Sequence, residues 1–489
     1  MTPSSQSLNR RRFIGVSAAL GLLTGLQRLV PAYASEAIEA KIPPGGDAAA
    51  DADAAATQVD LLIREQTFQF GKRQGMVITI NGSIPGPLVR LREGRDAILR
   101  VTNGLQEDTS IHWHGLLLPP GMDGVPGVSF GGIKPGETFT YRFPVRQNGT
   151  YWYHSHSAGQ EQSGHYGPLI IDSATPEPFT YDREHVIVLS DWTSENPMSI
   201  MATLKGRSNY YNENRRTAAT FFHDVKKDGL KATLTDRMEW GTMRMDPSDL
   251  SDVTGFTYTF LMNGFSPDAN WTALFKPGQR LRLRFINAGA ATYFDLRIPG
   301  LKMTVVSVDG QHVQPVTVDE IRIAIAETYD VMVEPTDDRA YTIFAEAMDR
   351  SGFASGTLAV EKGQSGPMPA RRKRVMATMA DMGMARMTGM AGMEAKAGKP
   401  GMDMPADAMT GMDHTKMAPT ADTMQDMPGM AMPAPAIEKS TPANQDAPVP
   451  HGPDTHGPGN SSVPMESKSR LGEPGTGLED TGTRVLLYS

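Results

Sequence analysis

From about Val59 onward, apolar and polar residues alternate with a period of two, and this pattern predicts strands. Val89 and Leu91 alternate on one side of the turn Arg92-Glu93-Gly94, and Leu99 and Val101 on the other. Phe139, Tyr141 and Phe143 alternate after Pro135-Gly136. Such runs bounded by turn residues predict hairpins of an antiparallel sheet.

The pattern then repeats. Asn81-Gly82, Gly94 and Asn103 are matched by Asn263-Gly264, Gly278 and Asn287, and Glu137-Thr138-Phe139 is echoed by Glu327-Thr328-Tyr329. A duplicated unit of short strands predicts two β-sandwich domains of like topology. Chance recurrence of turn residues is the competing explanation. Between the first strand of the second copy and its hairpins, an insertion at about 197–253 has helix-like stretches such as Thr217 to Asp228. Its Met238, Met243 and Met245 read as packing residues rather than ligands.

Both ends depart from this regime. Asn9-Arg10-Arg11-Arg12-Phe13-Ile14 precedes an apolar run to about Leu26, and Ala32-Tyr33-Ala34 has the form of a cleavage site. This predicts a twin-arginine signal over 1–34 and a periplasmic destination; the apolar run is short of the ~20 residues a membrane anchor needs. Residues 35–58 read as a flexible Ala/Asp-rich leader. Residues 363–470 read as a disordered methionine-rich segment, since sixteen of the thirty methionines lie between Met376 and Met432 among interrupting glycines and prolines.

Composition narrows the chemistry. A net charge of -8 and no basic stripe argue against a nucleic-acid partner, and no other segment is apolar enough to remain in a membrane once the signal is removed. The run Arg371 to Arg374 reads as part of a linker. Cysteine is absent, so disulfides and thiolate ligands are excluded.

Histidine spacing supplies the candidate site. On a strand His154 and His156 share a face with Trp152, while Tyr151, Tyr153 and Ser155 take the other; His112 and His114 repeat the arrangement around Trp113. One such pair is commonly incidental, but two in neighbouring strand regions can hold copper or zinc. His165, in a Gly/Ser/Gln loop, reads as a surface residue, and His185, His223 and His312 as structural. In the methionine segment, Met379, Met382, Met384, Met387, Met390, Met393, Met402, Met404 and Met412, with His414, form a candidate Cu(I) capture set. Thioethers are soft ligands with no proton to lose; a linker without function is the alternative.

The stretches "IHWHG" and "WYHSHSAGQEQSGHYGPLII" resemble the first two copper motifs of the multicopper oxidases, and the wider likeness, from about Val59 to Lys362, is to their periplasmic copper-resistance type. The resemblance implies an all-β chain of tandem cupredoxin-like sandwiches at 59–175 and 180–362. It implies that His112 is a type 2 copper ligand and that His114, His154 and His156 serve the type 3 pair. Together these coppers form the cluster at which the family reduces dioxygen, with Cu(I) as reductant in the copper-resistance type. The family's other four cluster ligands and its type 1 copper site belong to a third cupredoxin domain, through H-x-x-H-x-H and H-C-H motifs that this sequence lacks. The expectation is therefore a chain truncated at the start of that domain, residues 471–489, which binds copper without turnover unless a separate chain supplies the third domain.

Overall fold

The alternating segments form twenty strands in a computed structural model that describes residues 56–382, 473–479 and 481–487. In chain order they are β1 (Thr57–Phe70), β2 (Arg73–Ile80), β3 (Val89–Arg92), β4 (Asp96–Asn103), β5 (His112–His114), β6 (Thr138–Pro144), β7 (Gly149–His154), β8 (Tyr166–Asp172), β9 (Arg183–Trp192) and β10 (Thr259–Met262). There follow β11 (Trp271–Leu274), β12 (Leu281–Asn287), β13 (Phe294–Arg297), β14 (Met303–Val308), β15 (Gln311–Val318), β16 (Glu320–Ile323), β17 (Thr328–Val333), β18 (Tyr341–Ala347), β19 (Phe353–Ala359) and β20 (Val485–Leu486). The chain divides into two units, Met1–Ala377 with Leu471–Ser489, and Thr378–Arg470.

The first unit holds two sandwiches. In the first, the sheet β2-β1-β4-β6 packs on β3-β8-β7-β5 around Leu61, Leu91, Leu99, Trp113, Tyr141 and Tyr153. In the second, β10-β9-β12-β17-β14-β15 packs on β11-β19-β18-β13-β16-β20 around Leu283, Phe285, Phe294, Leu296 and Ile343. The all-β cupredoxin-like architecture expected from the sequence is the one observed.

The repeat has a structural cause. Asn81 and Asn263 both take left-handed backbone conformations, φ 53° and 50°. Their side chains do the same work, accepting from Leu62 N and Val188 N and donating to Asp60 O and Val186 O. An asparagine tolerates this backbone, and its amide bridges the turn to the first strand of each copy. Each turn is thereby locked to its sheet.

Pairing departs from the hairpin expectation at one place. β3 and β4 flank the Gly94 turn but lie in opposite sheets, and each has a parallel partner, β8 and β1 respectively. Alternation fixes which face is buried and leaves the partner open, so Val89 and Leu91 meet Leu99 and Val101 across the core rather than along a ladder.

The insertion is helical, with α1 (Pro197–Gly206), α2 (Ala218–Asp228) and α3 (Leu230–Thr242). Thr217 and Thr220 form a reciprocal cap at the start of α2, and Gly229, at φ 88°, ends it. Met243 packs as expected, whereas Met238 is 70% exposed, on the outer face of α3. Among the described residues no helix is long and apolar enough to cross a membrane.

Residues 363–377, expected to be unstructured, run along the second sandwich without forming a strand. Gln364 O and Pro367 O accept hydrogen bonds from Asn270 and Thr342, and Arg372 pairs with the buried Glu320 at 2.5 Å. Arg372 thus answers a carboxylate placed 52 residues earlier, a long-range relation that composition does not carry. Residues 471–489, expected to open a further sandwich, contribute β20, which pairs in parallel with β16 of the second. The signal, most of the leader and the methionine segment beyond Met382 lie outside the described residues.

The two sandwiches share a third core. Trp152 and Ile170 from the first meet Val186, Val188, Leu261 and Ile286 from the second. Beside it runs an ionic ladder in which Arg90 pairs with Asp172 and Glu184, both at 2.6 Å, Arg284 with Glu184 at 2.9 Å, and Arg282 with Asp330 at 2.6 Å.

Candidate metal centre

β5 and β7 pair antiparallel with His112 opposite His154, Trp113 opposite Tyr153 and His114 opposite Trp152. The period of two sends Trp113 and Tyr153 into the first core, both fully buried, and leaves the three histidines and Trp152 on the other face. Trp152 stacks on His154, with ring centres 4.1 Å apart and planes 11° from parallel. His156 lies past the end of β7 and is exposed, yet its ring stands 4.5 Å from that of His112 and 5.0 Å from that of His154. All four histidines singled out by spacing are therefore brought together.

His112, His114 and His154 each offer a nitrogen, and the three lie within 4.8 Å of one another. Two of the rings have a partner at Nδ1. His112 Nδ1 is 2.8 Å from Asp123 O, so it donates there and leaves Nε2 as the free lone pair. His154 Nδ1 is 2.7 Å from Glu161 Oε2, off the N–H axis, and its Nε2 faces His114 Nδ1 at 3.2 Å. The backbone around Asp123 is held by Gly124, at φ 76°, where an added Cβ would stand 1.8 Å from Ile111 O. Only glycine permits that approach.

Burial disfavours the charged form of His112, His114 and His156. It lowers His114 to about 3, with the neighbouring histidines acting in the same direction, and it lowers His112 and His156. These three are thereby favoured in the neutral form that binds metal. Imidazoles gathered in this way suit copper or zinc.

The second sandwich has no such centre at the matching strands. Opposite each other on β13 and β18 stand Asp295 and Glu346, engaged by Arg322 and Arg350 and by Arg297. An ionic network fills the face that carries histidines in the first copy.

Other histidines sort differently. His165 is fully buried, against the surface position expected, because its loop folds inward: Ser163 O accepts from Ile78 N, and Gly164 lies against Val77 and Ile84. Its Nδ1 is 3.4 Å from Thr109 Oγ1, and burial, then His154, lower it to about 3. His185 is buried against Leu274 O, His312 meets Phe179 edge-on, and His223 is exposed on α2. Of the methionine set only Met379 and Met382 fall in described residues, around the Thr378–Asp381 turn of the second unit; the rest and His414 lie outside them.

Sequence reasoning missed a cavity of about 440 Å³ beside the cluster, between His114, Thr150 and Trp152 of the first sandwich and Tyr293, Asp309 and Glu327 of the second. Burial raises Glu327 to about 7; the Ala324 amide and Tyr329 oppose this, and Asp309 adds to it. The one available signal was Glu327 itself, visible as the echo of Glu137.

A family model described as multicopper oxidase matches residues 63–176, and a second of the same description matches 183–363. The chain belongs to the multicopper oxidase family. It is 50% identical over 450 residues to copper resistance protein A of Escherichia coli, a match covering 88% of this chain and 71% of that protein. It is 49% identical to a copper resistance protein A homolog of Pseudomonas syringae pv. tomato, over 98% of this chain and 77% of that one. Among solved structures, the laccase from Botrytis aclada is 28% identical with a TM-score of 0.50, covering 65% of this chain and 55% of the laccase. This multicopper oxidase chain thus spans most of those two relatives and about half of the laccase. Copper is the family's cofactor, and the donor set at His112, His114 and His154 fits it.

Proposed function

We propose that this chain is a periplasmic copper-resistance protein that holds copper at His112, His114, His154 and His156. The observation that carries the reading is the convergence of three imidazoles whose ligand nitrogens lie within 4.8 Å, with His156 alongside. Bound there, copper would supply redox chemistry. The chain's own contribution is to hold Nε2 of His112 free through Asp123, to set Glu161 beside Nδ1 of His154, and to pack Trp152 against the cluster. The methionines from Met379 to Met412, with His414, supply soft donors for capture of Cu(I). Export follows the twin-arginine route.

The reaction carried over from the resemblance is oxidation of Cu(I) coupled to reduction of dioxygen to water. These 489 residues contain no cysteine, and the blue copper site through which the family's electrons pass needs a thiolate. The residues in hand accordingly bind copper without turning over. A second reading, oxidase activity completed by another cupredoxin-like chain, is favoured by β5, which stands at the edge of its sheet with its histidines beside the exposed His156.

One experiment separates the readings. Copper-loaded protein should show no intense visible band and consume dioxygen with Cu(I) no faster than free copper. Robust consumption by this chain alone, abolished by His154→Ala, would overturn the binding-only reading.

A further inference from the structure

We infer that the cavity between the sandwiches is a loading vestibule through which Cu(II) reaches the histidine cluster, drawn in by Asp309 and Glu327. The inference rests on the reading that the cluster holds copper.

His114 belongs to both places: it lines the cavity, and its Nδ1 is 3.2 Å from His154 Nε2. A cation that enters the cavity therefore meets a residue of the cluster directly. Two carboxyl side chains line the wall contributed by the second sandwich, and no lysine or arginine lines any part of it. Arg284, which donates to the hydroxyl of the lining residue Thr150, is also engaged by Glu184 and Asp330.

Glu327 is the decisive group. It is 7% exposed; its Oε2 accepts from Ala324 N at 2.6 Å, and Oε1 has no well-aligned donor, Tyr329 being the side chain within reach of the carboxyl. A buried carboxylate oxygen without a well-aligned donor is costly, and a visiting cation removes that cost. Asp309 Oδ1 accepts from Thr328 N at 2.9 Å, which fixes the second carboxylate beside the first.

Neither carboxylate joins the three-histidine ligand group. That distinguishes a way-station from a binding site: weak oxygen donors raise the local concentration of Cu(II) and release it to imidazoles, which bind copper more firmly. Tyr293, 38% exposed, also lines the cavity.

Copper uptake by metal-free protein from a nitrilotriacetate-buffered Cu(II) donor tests this, followed by stopped-flow quenching of tryptophan fluorescence, since Trp152 stacks on His154. Retained copper is measured at the end. Glu327→Gln with Asp309→Asn should slow uptake about tenfold or more, in line with the gain a cleft of one sign gives to on-rates, and leave the final copper content unchanged. Tyr293→Lys, a change at a half-open position that leaves both carboxylates in place, should also slow uptake, and added salt should shrink its effect. Unchanged rates in these variants while the parent protein loads would overturn the vestibule alone. Loss of retained copper in the carboxylate variants would also overturn it, by making those residues ligands. Equal retained copper in the parent and His154→Ala would remove the cluster reading and this one with it.

Discussion

Nδ1 of His114 stands 3.2 Å from Nε2 of His154, two imidazole nitrogens from paired strands facing each other beside a third histidine. Either nitrogen can carry a proton or a lone pair, so the contact is a hydrogen bond in one tautomer and offers two lone pairs to a shared cation in the other.

His154→Ala should weaken copper binding by more than the roughly 10- to 100-fold that loss of an outer-shell partner costs, and Glu161→Gln should fall within that range. Chelator competition on the two variants reads both values. Equal affinities for the two would mean that Glu161 acts as a ligand rather than as an orienting group.

Gly124→Ala places a Cβ against Ile111 O and should cost about 2 to 4 kcal/mol of stability as the backbone moves away. Copper affinity should fall with it, because Asp123 O leaves His112. Thermal melts with and without copper check this, and a neutral effect on both would show that the loop has room to relax.

The seam between the sandwiches should fail in acid. Burial alone would raise Glu184, but Arg284 and Arg90 outweigh it and hold the group at about 2, below its usual 4.5. A carboxylate depressed in this way contributes its full stability above about pH 4.5 and loses it as pH falls toward 2. Glu184→Gln should therefore flatten the acid limb by up to one proton, about 1.4 kcal/mol per pH unit, in urea midpoints taken between those limits.

Leucine at Met384, Met387, Met390 and Met393 together should lower the number of Cu(I) ions bound by the full chain. The lost sites should be insensitive to pH between roughly 5 and 7.5, where ordinary histidine sites weaken. Competition with a Cu(I) chromophore across that range decides, and binding that collapses at the acid end would assign the sites to histidine instead.

Lysine at Arg10 and Arg11 should leave precursor in the cytoplasm, whereas the parent chain should begin near Ser35 in the periplasm. Cell fractionation with N-terminal sequencing reads both; unchanged export would refute the twin-arginine reading.

The sequence carried what depends on local order. Alternation in β5 and β7 placed Trp113 and Tyr153 inside and the histidines outside, and the recurrence of Asn81 at Asn263 carried the duplication. What it could not carry is where separate segments meet. Asp123 and Glu161 orient the ligands from loops, and Asp309 and Glu327 arrive from another sandwich, so none has a spacing that ties it to the H-x-H pairs. His165 was misplaced for the same reason: Gly and Ser usually mark an exposed loop, but here Gly164 lets the backbone press against Val77 and Ile84.

Trp152 lies against His154 on one side and belongs to the core shared by the two sandwiches on the other. The half of the unit without a histidine cluster is consequently part of the apparatus that sets its shape. A genetic screen for lost copper tolerance would then return lesions at Leu261 or Ile286 alongside those at the histidines, and the mutational target would be as wide as the seam rather than as narrow as four imidazoles.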